Sequence, residues 1–150
     1  NRNYLLGNCA KRLRGFEMTN HLYLIRGASG SGKSTFAAKI GCPVIEADMF
    51  FETDEGYKYD PSRIKQAHAW CQDRAWDLLK SGKDVAVSNT FTKLWGLEAY
   101  LQMAKILQVQ VTIVRCVNRF QNTHNVPDEV VQRMWDNYEP SGNETVWQSL

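Results

Sequence analysis

Residues 24–36, LIRGASGSGKSTF, constrain the fold of this chain more than any other stretch. An apolar run ends at Gly27, four residues lead to Gly32, and Lys33, Ser34 and Thr35 open a helical pattern. Glycines permit positive φ and let backbone amides face a ligand with no side chain in the way. Amides gathered at a helix N-terminus meet phosphate with the positive end of the helix dipole. Lysine adds a charge for the β- and γ-phosphates, and a serine hydroxyl in this place is a magnesium ligand. The expected cradle of a nucleoside triphosphate is therefore Gly27, Ala28, Ser29, Gly30, Ser31, Gly32, Lys33, Ser34 and Thr35. ATP and Mg²⁺ are the implied cofactors, the metal on Ser34.

The remaining chain repeats one alternation. HLYLIR (21–26) reads as a buried strand, and GKSTFAAKI as a helix stopped by Gly41. PVIEADMFF (43–51) reads as a second strand running into a loop, and TDEGYKYDPS as turns. Asp60-Pro61 opens a helix whose Ile64, Ala67, Cys71, Ala75, Leu78 and Leu79 recur at helical spacing, ending at Gly82. DVAVS (84–88) is a third strand, 95–107 an amphipathic helix and VQVTIVRCV (109–117) a fourth strand. A polar loop follows, and Pro127, Asp128 and Glu129 open the last helix. The order predicts an α/β fold of the P-loop NTPase type: a doubly wound parallel sheet of about four to five strands, helices on both faces.

Composition narrows the class only broadly. With 150 residues, the chain has room for one core, and a net charge of +2 does not by itself argue for nucleic acid. The expected organisation is a basic, extended segment over 1–20 and a P-loop kinase domain over 21–150. Arg2, Lys11, Arg12 and Arg14 oppose a single Glu17 in the first segment, which reads either as a solvated lead-in or as an arm touching phosphates. Cys9, Cys42, Cys71 and Cys116 lie outside metal-ligand spacing with the three histidines and read as free thiols. Neither a membrane span nor a secretion signal is legible, so the expectation is a cytoplasmic protein with no membrane partner.

The absence of a guanine-reading NKxD argues against a GTPase. In DVAVSNT the strand ends in Ser88-Asn89, and its acid, Asp84, stands at the start, unlike the metal-binding acid that ends a motor ATPase strand. IEAD places Asp48 at the carboxyl end of the second strand, on the rim expected to hold the phosphates. A carboxylate opposite a γ-phosphate is a base for an attacking hydroxyl, with Glu46, on the same face of a strand, as alternative. The loop VNRFQNTHNVP and the helix after it have the makings of a lid. Arg119 and Arg133 are its candidate cations for the transferring group, ahead of Arg115, and His124 reads as a surface residue of the lid.

GASGSGKST, EAD, YKYDPSRI, VSNTF and VP with RMWDNYE, in that order, resemble the kinase domain of bacteriophage-type 5′-polynucleotide kinases. The likeness runs over residues 21–139 and extends to the wider group that includes zeta-toxin-like kinases. It implies transfer of the ATP γ-phosphate to a hydroxyl, in those kinases the 5′-OH of DNA or RNA. It also implies Lys33 and Ser34 as the loop's functional pair, Asp48 as general base, and Asn89-Thr90 as the motif after the third strand. Phe51 stands where those kinases carry an acceptor-binding arginine. Phe51 and Trp95 are either base-stacking or packing aromatics. Two other readings stay open: a kinase of a small acceptor (nucleoside, nucleotide sugar or antibiotic), and a non-catalytic ATP-binding switch.

Overall fold

The computed structural model describes residues 20–121 and 125–149. Seven strands occur there: β1 (His21–Arg26), β2 (Val44–Ile45), β3 (Glu52–Thr53), β4 (Gly56–Tyr57), β5 (Val85–Ser88), β6 (Gln110–Cys116) and β7 (Thr145–Trp147). Five of them form one sheet in the order β2-β5-β1-β6-β7, every pairing parallel, while β3 and β4 make a separate antiparallel hairpin. The helices are α1 (Lys33–Ile40), α2 (Ile64–Lys80), α3 (Glu98–Leu107) and α4 (Asp128–Asp136). None of them is long and apolar enough to cross a membrane.

β1 is buried at all six positions because helices cover both faces of the sheet. Alternation turns Leu22 and Leu24 to one face with Val85, Val87 and Ile113, where Cys71, Ala75 and Leu79 of α2 and Tyr100, Met103 and Ala104 of α3 pack. Tyr23 and Ile25 turn the other way with Ala86, Val114 and Cys116, against Phe36, Ala37 and Ile40 of α1. The helix punctuation is as the sequence suggests. Gly41 closes α1 at φ +76°, and Asp60 accepts from the Ser62 amide at 3.0 Å beneath Pro61, in a 3₁₀ turn that runs into α2.

Three segments depart from the sequence reading. The second strand is only two residues long, and Ala47–Phe51 is a 3₁₀ helix. A strand would put Phe50 and Phe51 on opposite faces. The turn instead lays Phe50 near Trp70 and Phe51 near Tyr59, at 6.3 and 5.2 Å between ring centroids. Glu46 and Asp48 therefore share no strand face, although both reach the same cleft. Within the stretch expected as turns, Glu52–Tyr57 forms the hairpin. At the far edge β7 adds a fifth strand whose three residues are too few for periodicity to reveal. Cys9, His124 and the basic arm lie outside the described residues; Cys42, Cys71 and Cys116 are not in disulfides.

Candidate active site

All five sheet strands run the same way, so the turns after β1, β2 and β5 gather at one edge, over a cleft of about 800 Å³. The glycine-rich loop forms its floor. Gly27, Gly30 and Gly32 hold φ of +152°, +80° and +97°. A Cβ on Gly27 would stand 2.3 Å from Ser31 Oγ and 2.8 Å from the Cys116 carbonyl, and one on Gly32 2.5 Å from Asn118 Nδ2. The carbonyl edge of the loop is committed to the scaffold: Gly30 O accepts from the Phe120 amide at 2.8 Å, and Ser31 O from Asn118 N and Nδ2 at 3.0 and 2.9 Å. Two of its amides are also bonded, Gly27 N to Thr90 O and Ser31 N to Ala28 O, both at 3.1 Å, while Ser29, Gly30 and Gly32 line the cavity, where an anion-binding nest needs its amides.

Lys33 folds its ammonium back onto the carbonyls of Gly27 and Ala28, at 2.9 and 3.0 Å. Burial lowers its pKa, opposed by Cys116 and by the carboxylates of Glu46 and Asp48. A bound phosphate would raise it again. Ser29, Gly30, Gly32, Ser34 and Thr35 line the cleft beside Lys33. The donors fit Mg²⁺, which is commonly held by one or two hard carboxylate or hydroxyl oxygens together with substrate phosphates. Ser34 supplies such an oxygen, and Ser88 Oγ, buried without a hydrogen-bond partner at the end of β5, lines the same space.

Across the cleft stands Asp48, an exposed residue in the 3₁₀ turn, whose Oδ1 accepts from Tyr57 Oη at 3.2 Å. Its turn is tied to the sheet by Asn89, which accepts from the Ala47 amide at 2.9 Å and donates to Cys71 Sγ at 3.7 Å. Thr90 accepts from the Gly27 amide at 3.1 Å, so the motif after β5 braces both sides of the cleft. Phe51 is 3% exposed, edge-on to Phe50, Tyr57 and Tyr59, and lines the wall behind Asp48. Trp95 is 73% exposed and is not among the cleft residues.

On the third side Phe120, Val126, Pro127, Val130 and Met134 present apolar surface. Arg119 and Arg133 are exposed and do not line the cleft; Arg119 lies over the Trp135 ring at 3.7 Å. Asp84 caps the opposite end of the sheet, accepting from the His21 amide at 2.7 Å.

Sequence reasoning passed over two structural residues of the site, Arg26 and Asn118, and counted Tyr57 only among the aromatics after the second strand. Arg26, fully buried just before the loop, donates to the Phe91 and Glu139 carbonyls at 2.7 Å, pairs with Glu144 at 2.7 Å and lies over Tyr138. Asn118, whose Oδ1 accepts from Ser149 N and Oγ, ties the loop to the residues that follow β7. Tyr57 reaches Asp48 only through the hairpin. A charged residue ending an apolar strand and an asparagine just past another are weak signals. Their partners lie 31 to 118 residues away.

A family model described as AAA domain (AAA_33) matches residues 22–141. The chain belongs to this family. Its fold is that of P-loop kinases. Among curated relatives of this AAA domain, human NEDD4-binding protein 2 is 25% identical over 133 residues, 79% of this chain but 8% of the relative's own length. Among solved structures, the Pnkp1/Rnl/Hen1 RNA repair complex gives a TM-score of 0.57 at 18% identity, covering 87% of this chain and 43% of that one. A gluconokinase from Sinorhizobium meliloti 1021 gives 0.55 at 19% identity, over 87% and 83%. At such identities the likeness is one of fold.

Proposed function

We propose that this domain transfers the γ-phosphoryl group of ATP to a hydroxyl, and that its acceptor is the 5′-hydroxyl of a DNA or RNA end. The observation that carries the reading is one cleft with Lys33 and the loop on one side and Asp48 on the other, each held by the braces of Asn118, Asn89 and Thr90. Loop amides and Lys33 bind the triphosphate; Ser34 would hold Mg²⁺, which would supply charge neutralisation for the phosphates. Asp48 takes the acceptor's proton as its oxygen attacks phosphorus. Arg119 or Arg133, neither of which lines the cleft here, is the cation offered to the transferring group. Tyr57 and Tyr59, exposed at the cleft, offer rings to a terminal base, at about 1–3 kcal/mol per stack. The order of motifs resembling polynucleotide kinases supports the finer reading.

A second reading, a small hydroxyl-bearing acceptor, is favoured by Phe51. It is sealed among rings where those kinases place an acceptor-binding arginine. Labelled ATP offered with 5′-hydroxyl oligonucleotides and a panel of nucleosides and sugars separates the two. Label on the oligonucleotide, lost in Asp48→Asn, is the expected result. Label on a small acceptor that unlabelled oligonucleotide fails to compete away would replace the first reading with the second.

A further inference from the structure

We propose that Tyr57 is itself a phosphoryl acceptor: with ATP bound and no other hydroxyl in the cleft, the domain phosphorylates its own Tyr57. The inference rests on the reading of Asp48 as base, and it names a modification site within that same cleft. A general base must lie within hydrogen-bond reach of the proton that it removes. Among the described residues, the hydroxyl that the structure sets on Asp48 is that of Tyr57, at 3.2 Å. Both side chains line the cleft that holds Lys33 and Ser34.

Tyr57 is presented there by a built element. Its strand pairs Glu52 with Tyr57 and Thr53 with Gly56. Thr53 Oγ1 fastens the turn, donating to Gly56 O at 2.7 Å and accepting from the Glu55 amide at 3.2 Å. Lys58 N donates to Phe51 O at 2.9 Å, and the Tyr57 ring stands edge-on to Phe51. At 55% exposure the residue is open to the cleft. Desolvation, the Asp48 charge and the neighbouring Tyr59 and Glu52 raise the phenol's pKa, so at neutral pH it is protonated and its attack needs a base. Asp48 is that base.

The step balances. Tyr57 Oη forms a bond to the γ-phosphorus, the bond from that phosphorus to the β,γ-bridging oxygen breaks, ADP leaves with the electron pair, and the phenolic proton passes to Asp48. The product places a charge near −2 beside Asp48 and Glu52, and the repulsion loosens the hairpin from the site. An acceptor hydroxyl on Asp48 displaces Tyr57 and so suppresses the self-reaction. Tyr59 is an internal comparison: 54% exposed and lining the same cleft, it makes no hydrogen bond to Asp48.

The test needs no knowledge of the natural acceptor. The chain is incubated with ATP and Mg²⁺ alone, then examined by intact mass and peptide mapping, beside Tyr57→Phe and Asp48→Asn; ADP release and label transfer to a hydroxyl panel are followed in parallel. One phosphoryl group at Tyr57, absent in both variants and reduced when an acceptor is added, is the expected result. Asp48→Asn keeps the test decisive should Tyr57→Phe fold poorly. Transfer to an added hydroxyl with Tyr57 unmodified overturns this inference and leaves the proposed function standing. Label on Tyr59, or label on Tyr57 that survives Asp48→Asn, overturns it too. Bound nucleotide with no transfer to any hydroxyl, Tyr57 included, overturns both.

Discussion

The two walls of the cleft are built differently. The loop wall is backbone: three positive-φ glycines, carbonyls fastened to Asn118 and Phe120, and a half-buried lysine. The wall of residues 46–59 is side chain: an exposed carboxylate on a 3₁₀ turn, a two-strand hairpin and a ring cluster, joined to the sheet chiefly through Asn89. A wall of amides can recognise only what every triphosphate shares, whereas a wall of side chains can be retuned one residue at a time. That division explains how one fold serves kinases with unlike acceptors.

Asp48→Asn should separate the walls most sharply. Transfer falls by roughly 10²–10⁴-fold, the usual worth of a positioned base, while nucleotide affinity and melting temperature hold. A parallel loss of nucleotide binding, read by fluorescent-nucleotide titration, would merge the two walls. Arg26→Met acts behind the loop wall. It strands Glu144 and two carbonyls, and urea unfolding should report a loss of about 3–5 kcal/mol, the usual cost of breaking a buried pair. A loss below 1 kcal/mol would mean that Tyr138 and Ser141, which also donate to Glu144, carry the cluster alone.

Gly27→Ala comes next. A methyl 2.3 Å from Ser31 Oγ at φ +152° forces the loop to shift, with a stability loss of about 1–3 kcal/mol and weakened ATP binding. Asn89→Ala, on the other wall, should cost about 1–2 kcal/mol and lower kcat more than nucleotide affinity, because it frees the turn that carries Asp48. Equal effects on both would assign Asn89 to the loop wall instead.

The smallest effect is in pH. Burial holds the folded pKa of Lys33 below 10.5, so between that lowered value and 10.5 the unfolded chain carries more protons and stability rises with pH. Phosphate raises the pKa again, so nucleotide binding takes up protons in that window. Calorimetry in two buffers of different ionisation heat measures the uptake. Zero uptake would show that Lys33 keeps its full charge in the free protein.

The loop wall was legible because its determinants are local. Gly27, Gly32, Lys33 and Ser34 act within eight residues, and the flanking strand and helix declare themselves by period. Asp48 was found by its place after an apolar segment, though the segment's geometry was misjudged: a run such as MFF reads equally as strand or as packed turn until Trp70 and Tyr59 are beside it. The hairpin escaped because two-residue strands have no period to read.

The sequence by itself determined the glycine-rich loop between strand and helix, the alternating α/β order and the acid at the cleft rim, since each depends on neighbours in the chain. Only the tertiary structure decided that Tyr57 meets Asp48, that Asn89 holds the turn and that Arg26 locks the C-terminal strand behind the loop. Those contacts join segments separated by up to 118 residues, and a side chain's partner at such distance is chosen by how helices and strands pack.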